Sequence, residues 1–241
     1  MGHILVTGSS RGIGRAALEA LAARGTQVIG HASRAGTQGL GGIPMIAADF
    51  GNPLAAQALW EAALELAGGE IDVVVNNAGR FEANRLDRSD IEWLDAWEDT
   101  LRVNLTAAAQ LSRLAVLHWQ QRGVPGRLVH VASRAAYRGD SPAHWHYAAA
   151  KSGMIAMHKT IARAYAKDGI LSFAVTPGFT DTSMADDYLA SRGGPGLLAD
   201  IPLGRVATPE EIAAIIAFCA TDAPPSMTGA VIDANGASYV R

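Results

Sequence analysis

The sequence predicts an α/β fold, an open parallel sheet with helices on both faces. Three observations predict it. Short apolar strands alternate with helical stretches along the whole chain. The stretch Ile71–Val75 is short and, Asp72 aside, apolar, as a strand buried on both faces should be. The first apolar strand runs straight into a glycine-rich turn and then a helix.

In order, His3–Thr7 reads as a strand and Ile13–Arg24 as a helix ended at Gly25. Gln27–His31 and Pro44–Ala48 read as the second and third strands. Pro53–Ala67 is a helix with proline at its start and Gly68-Gly69 after its end, as helix boundaries prefer. Ile71–Val75 follows as the fourth strand, and Trp93 to about Gln120 as one long helix. Arg127–Ala132 is the fifth strand, and the helix containing Tyr147 runs to Lys167. Ile170–Thr176, a helix over Pro209–Ala220 and a last strand at Ala230–Asp233 complete the pattern. No linker, repeat or low-complexity run divides it, so one domain over residues 1–241 is expected. The least regular stretch, residues 179–203, follows a strand's carboxyl end and contains Gly193-Gly194-Pro195-Gly196. It reads as a lid over a site.

Composition narrows the function. The 241 residues are 49% hydrophobic and 18% charged, which suits a large core. A net charge of −3 offers no electrostatic footprint for nucleic acid or an anionic membrane. No apolar run approaches the ~18 residues of a membrane span. The first strand starts too early to leave room for a signal peptide. Cys219, the one cysteine, lies in an apolar run and reads as a buried thiol in a reducing compartment. A cytoplasmic protein is expected. The histidines show no metal-ligand spacing.

Two stretches carry chemistry. The turn Thr7-Gly8-Ser9-Ser10-Arg11-Gly12-Ile13-Gly14 joins strand to helix, where glycines let backbone N–H groups approach a pyrophosphate at the positive helix end. An NAD site usually places an acid about 20 residues further on. Here the second strand ends His31-Ala32-Ser33-Arg34 instead. Arg11 and Arg34 suit the 2′-phosphate of NADP(H) better than a ribose hydroxyl, so NADP(H) is the expected cofactor. The second stretch is Tyr147-Ala148-Ala149-Ala150-Lys151. On a helix, Tyr147 and Lys151 share a face. The lysine's charge is expected to lower the tyrosine's pKa and let it exchange a proton near neutral pH.

Taken together, these residues resemble the short-chain dehydrogenase/reductase family over essentially the whole chain. The resemblance rests on Gly8, Gly12 and Gly14, Asn76-Asn77-Ala78-Gly79, Asn104, Ser133, Tyr147 with Lys151, and Pro177-Gly178, all in the family's order. Ser133 precedes Tyr147 by 14 residues, which fits the pattern. The resemblance implies a Rossmann-type doubly wound sheet, its seven strands in order 3-2-1-4-5-6-7. It implies that Asn104, Ser133, Tyr147 and Lys151 are catalytic. Ser133 would hold the substrate oxygen, Tyr147 would act as general acid or base, Lys151 would hold the nicotinamide ribose, and Asn104 would place a relay water. Cofactor contacts would come from Gly8, Ser10, Arg11, Gly12, Ile13 and Gly14, from Ser33 and Arg34, and from Asp49 and Phe50 at the adenine. Asn76, Ala78 and Gly79 would line the adenosine ribose and support the sheet. Pro177, Gly178, Phe179 and Thr182 would pack at the nicotinamide.

Within the family the chain is most similar to the 3-oxoacyl-(acyl-carrier-protein) reductase group, in its start and its tail Gly229–Gly236. Val124 and Asp168 stand where that group presents basic residues to its carrier protein. The segment Tyr137, Arg138, His144, Trp145 and His146 suggests a wall for a compact or ring-shaped substrate. The expected activity is therefore NADP(H)-dependent hydride transfer between the nicotinamide and a ketone, aldehyde or secondary alcohol. The alternatives are the carrier-protein reductase itself and a protein that senses NADP(H) without turnover. A homotetramer, or a homodimer, is expected by resemblance. Leu105, Leu111, Leu114 and Leu117 would form a buried helix face.

Overall fold

A computed structural model describes residues 2–36, 41–181 and 198–241. Seven parallel strands form one sheet: β1 (His3–Val6), β2 (Val28–Ala32), β3 (Met45–Ala47), β4 (Ile71–Asn76), β5 (Gly126–Val131), β6 (Ile170–Pro177) and β7 (Val231–Ala234). Their order is β3-β2-β1-β4-β5-β6-β7. The reversal between β1 and β4 opens a crevice at the carboxyl ends of the strands, the place where such sheets bind ligands.

The strands' two-residue period sorts the core into two layers. Ile4 and Val6 of β1 face helices α1 (Gly12–Ala23) and α7 (Pro209–Thr221), meeting Leu18, Leu21, Ile212 and Ile216. Leu5 and Val74 face the opposite way, toward α2 (Ala55–Leu66) and α4 (Ala107–Arg122), with Leu59, Trp60, Leu111 and Trp119. The largest fully buried side chain, Trp119, lies across Gly126 and donates from its indole N–H to the Ile71 carbonyl at 2.6 Å. A Cβ at Gly126 would sit 2.1 Å from the indole ring. Glycine here is a packing requirement.

Helix ends follow local rules. Thr208 and Glu211 form a reciprocal capping box at the start of α7, with Pro209 in the first turn. Ser89 and Glu92 do the same for α3 (Asp90–Leu101). Gly123 ends α4 in the left-handed conformation, φ 64°.

The expected long helix from Trp93 is three pieces. α3 runs into a π-turn at Arg102–Thr106, which leads into α4. One π-turn adds a residue to the helical cycle and shifts the phase of everything after it. The expected leucine face is incomplete for a simpler reason: Leu111 and Leu117 both follow the π-turn and, six residues apart on α4, point to different sides, so Leu111 is fully buried while Leu117 is 48% exposed. Of the expected lid, residues 182–197 lie outside the described residues.

Candidate active site

A cavity of about 410 Å³ opens at the carboxyl ends of β1, β4, β5 and β6. One end is the loop from β1 to α1. Gly8 has φ 63°, and a Cβ on Gly14 would lie 2.2 Å from the Gly8 carbonyl oxygen. The loop can fold this tightly only with glycine at both places. The N-cap Arg11 places no side-chain bond on the first N–H groups of α1, which leaves the helix start suited to an anion. Thr7 pins the loop to the segment after β4: its hydroxyl accepts from the N–H groups of Asn77 and Ala78 at 2.9 and 3.0 Å. Asn77 returns two bonds to the Thr7 and Gly8 carbonyls.

Gly8, Ser10 to Gly14, Ser33, Arg34, Asp49 and Phe50 all line this end, as the sequence reading expects. So do Ala78 and Gly79 nearer the middle, with Pro177, Gly178 and Phe179 at the far side. Asn76 sits on the sheet-supporting side of its expected role and not on the cavity side. Its amide points into the core, donates to Ser112 Oγ at 3.1 Å and lies beside His130, and it does not line the cavity. The neighbouring Asn77 lines it instead. Thr182 lies outside the described residues.

The deep end holds the reactive side chains. Helix α6 (Trp145–Tyr165) carries Tyr147 and Lys151 one turn apart on the cavity side. Lys151 is 3% exposed and donates to the Val131 carbonyl at 2.8 Å. Burial pulls its pKa down to about 8. The Tyr147 pKa does not fall as expected. Burial pushes it up to about 12, the hydrogen bond to Ser133 pulling the other way and Asp140 adding to the rise. The ring keeps some surface toward the cavity, but its hydroxyl is densely surrounded by protein. Desolvation sets the direction, and Lys151, whose Nζ donates to Val131 and lies 5.8 Å from the centre of the tyrosine ring, does not offset it.

Ser133, just past β5, accepts from the Ala135 N–H at 3.1 Å, leaving its O–H to donate. Asn104 sits within the π-turn and is fully buried. Its amide clasps the backbone of Arg80, accepting from N–H and donating to C=O, both at 2.8 Å. Asn104 Oδ1 and Lys151 Nζ flank Gly79. The structure brings the four residues named from the sequence together here, Ser133, Tyr147 and Lys151 lining the cavity and Asn104 holding the loop after β4 beside them, a part the sequence does not show.

Of the five residues of the expected wall none lines the cavity, and one, His144, packs behind Phe81, which does. His144 stacks on Phe81 at 4.0 Å between centroids, and Phe81 meets Tyr147 edge-on at 4.7 Å. Trp145 is 53% exposed, and Tyr137 stacks on Tyr239 instead. His146 is buried facing Trp97. Phe81 went unread in the sequence because it lies outside any motif. Arg134, buried beside Ser133 with its guanidinium 4.5 Å over the Phe179 ring, was missed for the same reason. Asp168, at the surface, accepts from Gln120 at 2.9 Å. Among the described residues no cluster could hold a metal ion, and no helix is long and apolar enough to cross a membrane.

The chain matches a family model described as enoyl-(acyl carrier protein) reductase over residues 8–236. It is 38% identical to the 3-oxoacyl-(acyl-carrier-protein) reductase FabG of Vibrio cholerae, covering 98% of this chain and 96% of that one. It is 37% identical to FabG of Escherichia coli over the same shares. A 3-oxoacyl-(acyl-carrier-protein) reductase of Synechocystis is 35% identical, over 96% of this chain and 94% of its own length.

Proposed function

Because the chain belongs to the short-chain dehydrogenase/reductase family and is an NADP(H)-dependent oxidoreductase acting on a carbonyl/alcohol pair, we propose that Tyr147 is its proton donor and acceptor. The observation that carries this is that Ser133, Tyr147 and, one turn on, Lys151 line the deep end of a cavity whose other end is a phosphate loop. The glycine cradle at Gly8 and Gly14 fits a pyrophosphate, and Arg11 and Arg34 on the same wall fit a 2′-phosphate. When bound, the nicotinamide supplies or accepts the hydride.

The chain's own residues do the rest. Ser133 and Tyr147 present two O–H donors to one substrate oxygen. They hold a developing alkoxide more strongly than a neutral carbonyl, which lowers the barrier. With its pKa held near 12, Tyr147 carries its proton at neutral pH and can hand it to an alkoxide, a stronger base than phenolate. Lys151, below its pKa of about 8, is an ammonium that can hold ribose hydroxyls and steady the charge left on Tyr147. Asn104 keeps the turn after β4 in place over Lys151, and any relay water passes beside that turn.

Our reading of the substrate is a compact ketone or aldehyde, packed against Phe81 and His144. The relatives' names favour a second reading, a 3-oxoacyl thioester on a carrier protein. NADPH oxidation with a 3-oxoacyl thioester beside a panel of small cyclic and aryl ketones separates the two. Turnover of the ketones alone supports the compact pocket; efficient turnover of the thioester overturns it. Tyr147→Phe should bind NADPH and lose nearly all turnover, and retained turnover would remove Tyr147 from the mechanism.

We read the segment around residues 179–203 as the substrate lid of a one-domain enzyme and the assembly as a homotetramer working in the cytoplasm. A monomer by light scattering, or a protein found outside the cytoplasmic fraction, would refute the last two.

A further inference from the structure

His31 belongs to none of the motifs, yet it joins three parts of the cofactor end. It is 2% exposed at the end of β2 and lines the cavity. Its Nδ1 receives the N–H of Gly8 at 3.0 Å. Its Nε2 lies 2.7 Å from the carbonyl oxygen of Ala48, just past β3. The imidazole stacks on Phe50 at 4.4 Å between centroids, 21° from parallel. Its backbone is tied to the same loop: the His31 N–H donates to Ser9 Oγ at 2.9 Å and its carbonyl accepts from the Ser9 N–H at 2.9 Å.

These partners allow one protonation state. The Gly8 N–H can only donate, so Nδ1 must be bare. The Ala48 carbonyl can only accept, so Nε2 must carry the hydrogen. A proton added at Nδ1 would set one N–H against another at the first glycine of the phosphate loop.

We propose that His31, as a neutral imidazole hydrogen-bonded through both nitrogens, is a positioning residue for the dinucleotide: it clamps the phosphate loop to the adenine-side strand ends, and its protonation releases Gly8 and weakens binding. This rests on the cavity being a dinucleotide site. Burial favours the neutral form, since it lowers the imidazole's pKa, with the Ala48 bond and the carboxylate of Asp49 pulling the other way. Arg11 on the loop and Arg34 beyond β2 are the cations lining the same end.

The test uses the whole protein. Nitrogen-15 NMR of histidine-labelled protein, with His31 assigned through its variant, reads the tautomer without any ligand. It should show hydrogen on Nε2 and a bare Nδ1 at pH 7.5. NADPH affinity is then measured by fluorescence from pH 7.5 down to 5.5 for wild type, His31→Asn and His31→Phe. Asn can still accept the Gly8 N–H but does not ionise; Phe keeps the stack on Phe50 and leaves a buried N–H unpaired. His31→Phe should bind about 10-fold more weakly at pH 7.5. Wild type should lose affinity on acidification more steeply than His31→Asn, because both share the titration of the nucleotide's own phosphate. Equal pH profiles for wild type and His31→Asn, or hydrogen on Nδ1, overturn the proposal. An Nε2–H tautomer in a protein that binds no dinucleotide at any pH overturns the cofactor reading instead.

Discussion

Replacing Lys151 by Met takes an ammonium out of a place that solvent does not reach. The lysine is 3% exposed, and its pKa is drawn from 10.5 to about 8. At pH 7 the native state therefore holds the charge at a cost of about 3 kcal/mol relative to the unfolded chain. Methionine has a similar length and carries no such cost. It leaves the Val131 carbonyl without the donor now 2.8 Å away, a loss of about 1–2 kcal/mol. The difference is a net gain of about 1–2 kcal/mol at pH 7, or a melting temperature raised by about 2–8 °C. The sign reverses the ordinary lysine case. Between about pH 8 and 10.5 the native lysine has shed its proton while the unfolded one has not, so wild-type stability rises with pH across that window. The advantage of Lys151→Met should therefore shrink between pH 7 and 9.5. Thermal unfolding of the free protein at both values measures it, and turnover assays should show the stabilised variant nearly inactive. A variant less stable than wild type by the same amount at both pH values would show that the ammonium carries no burial cost, and the reasoning from desolvation would fail.

Three other expectations follow from packing and charge. Gly126→Ala drives a Cβ to within 2.1 Å of Trp119, so it should destabilise by about 3 kcal/mol in urea unfolding; a change below ~1 kcal/mol would show that the indole can move aside. Cys219 is buried with its thiol pushed up to about 11, so an aromatic disulfide reagent at pH 8 should react only as fast as the protein opens, and reaction within seconds in buffer would contradict that. Arg11→Ala combined with Arg34→Ala should cut the preference for NADPH over NADH by ~10-fold or more in binding measurements; an unchanged ratio would place the 2′-phosphate elsewhere.

The alternation of strands and helices, the phosphate loop and the Tyr147–Lys151 pair were legible because each depends on local chemistry, whereas the strand order came with the family resemblance. Glycine is needed where Gly8 and Gly14 nearly touch, and a four-residue spacing puts Tyr147 and Lys151 on one side of α6. What went unread depends on contacts between distant segments. Asn76 and Asn77 are identical neighbours in sequence, and only the strand's alternation turns one into the core and the other toward the loop. The Tyr147 pKa was misjudged because sequence shows which charge is nearby but not how much water is missing. Phe81 and His31 stack on residues far along the chain, His144 and Phe50, and a linear pattern holds no trace of that.

The π-turn at Arg102–Thr106 makes the length of this helix a functional quantity. Its extra residue is what faces Asn104 onto Arg80 while α4 still meets β4 and β5 with Leu111 and Trp119. Deleting one residue there would regularise the helix, and its propensity would improve. The helices on either side would keep their faces, because the extra residue is what the π-turn absorbs, but Asn104 would turn away from its clasp on Arg80. Variation in this stretch should thus be tolerated at the positions around Asn104, and neither at Asn104 itself nor in the number of residues, because either change opens the clasp on Arg80.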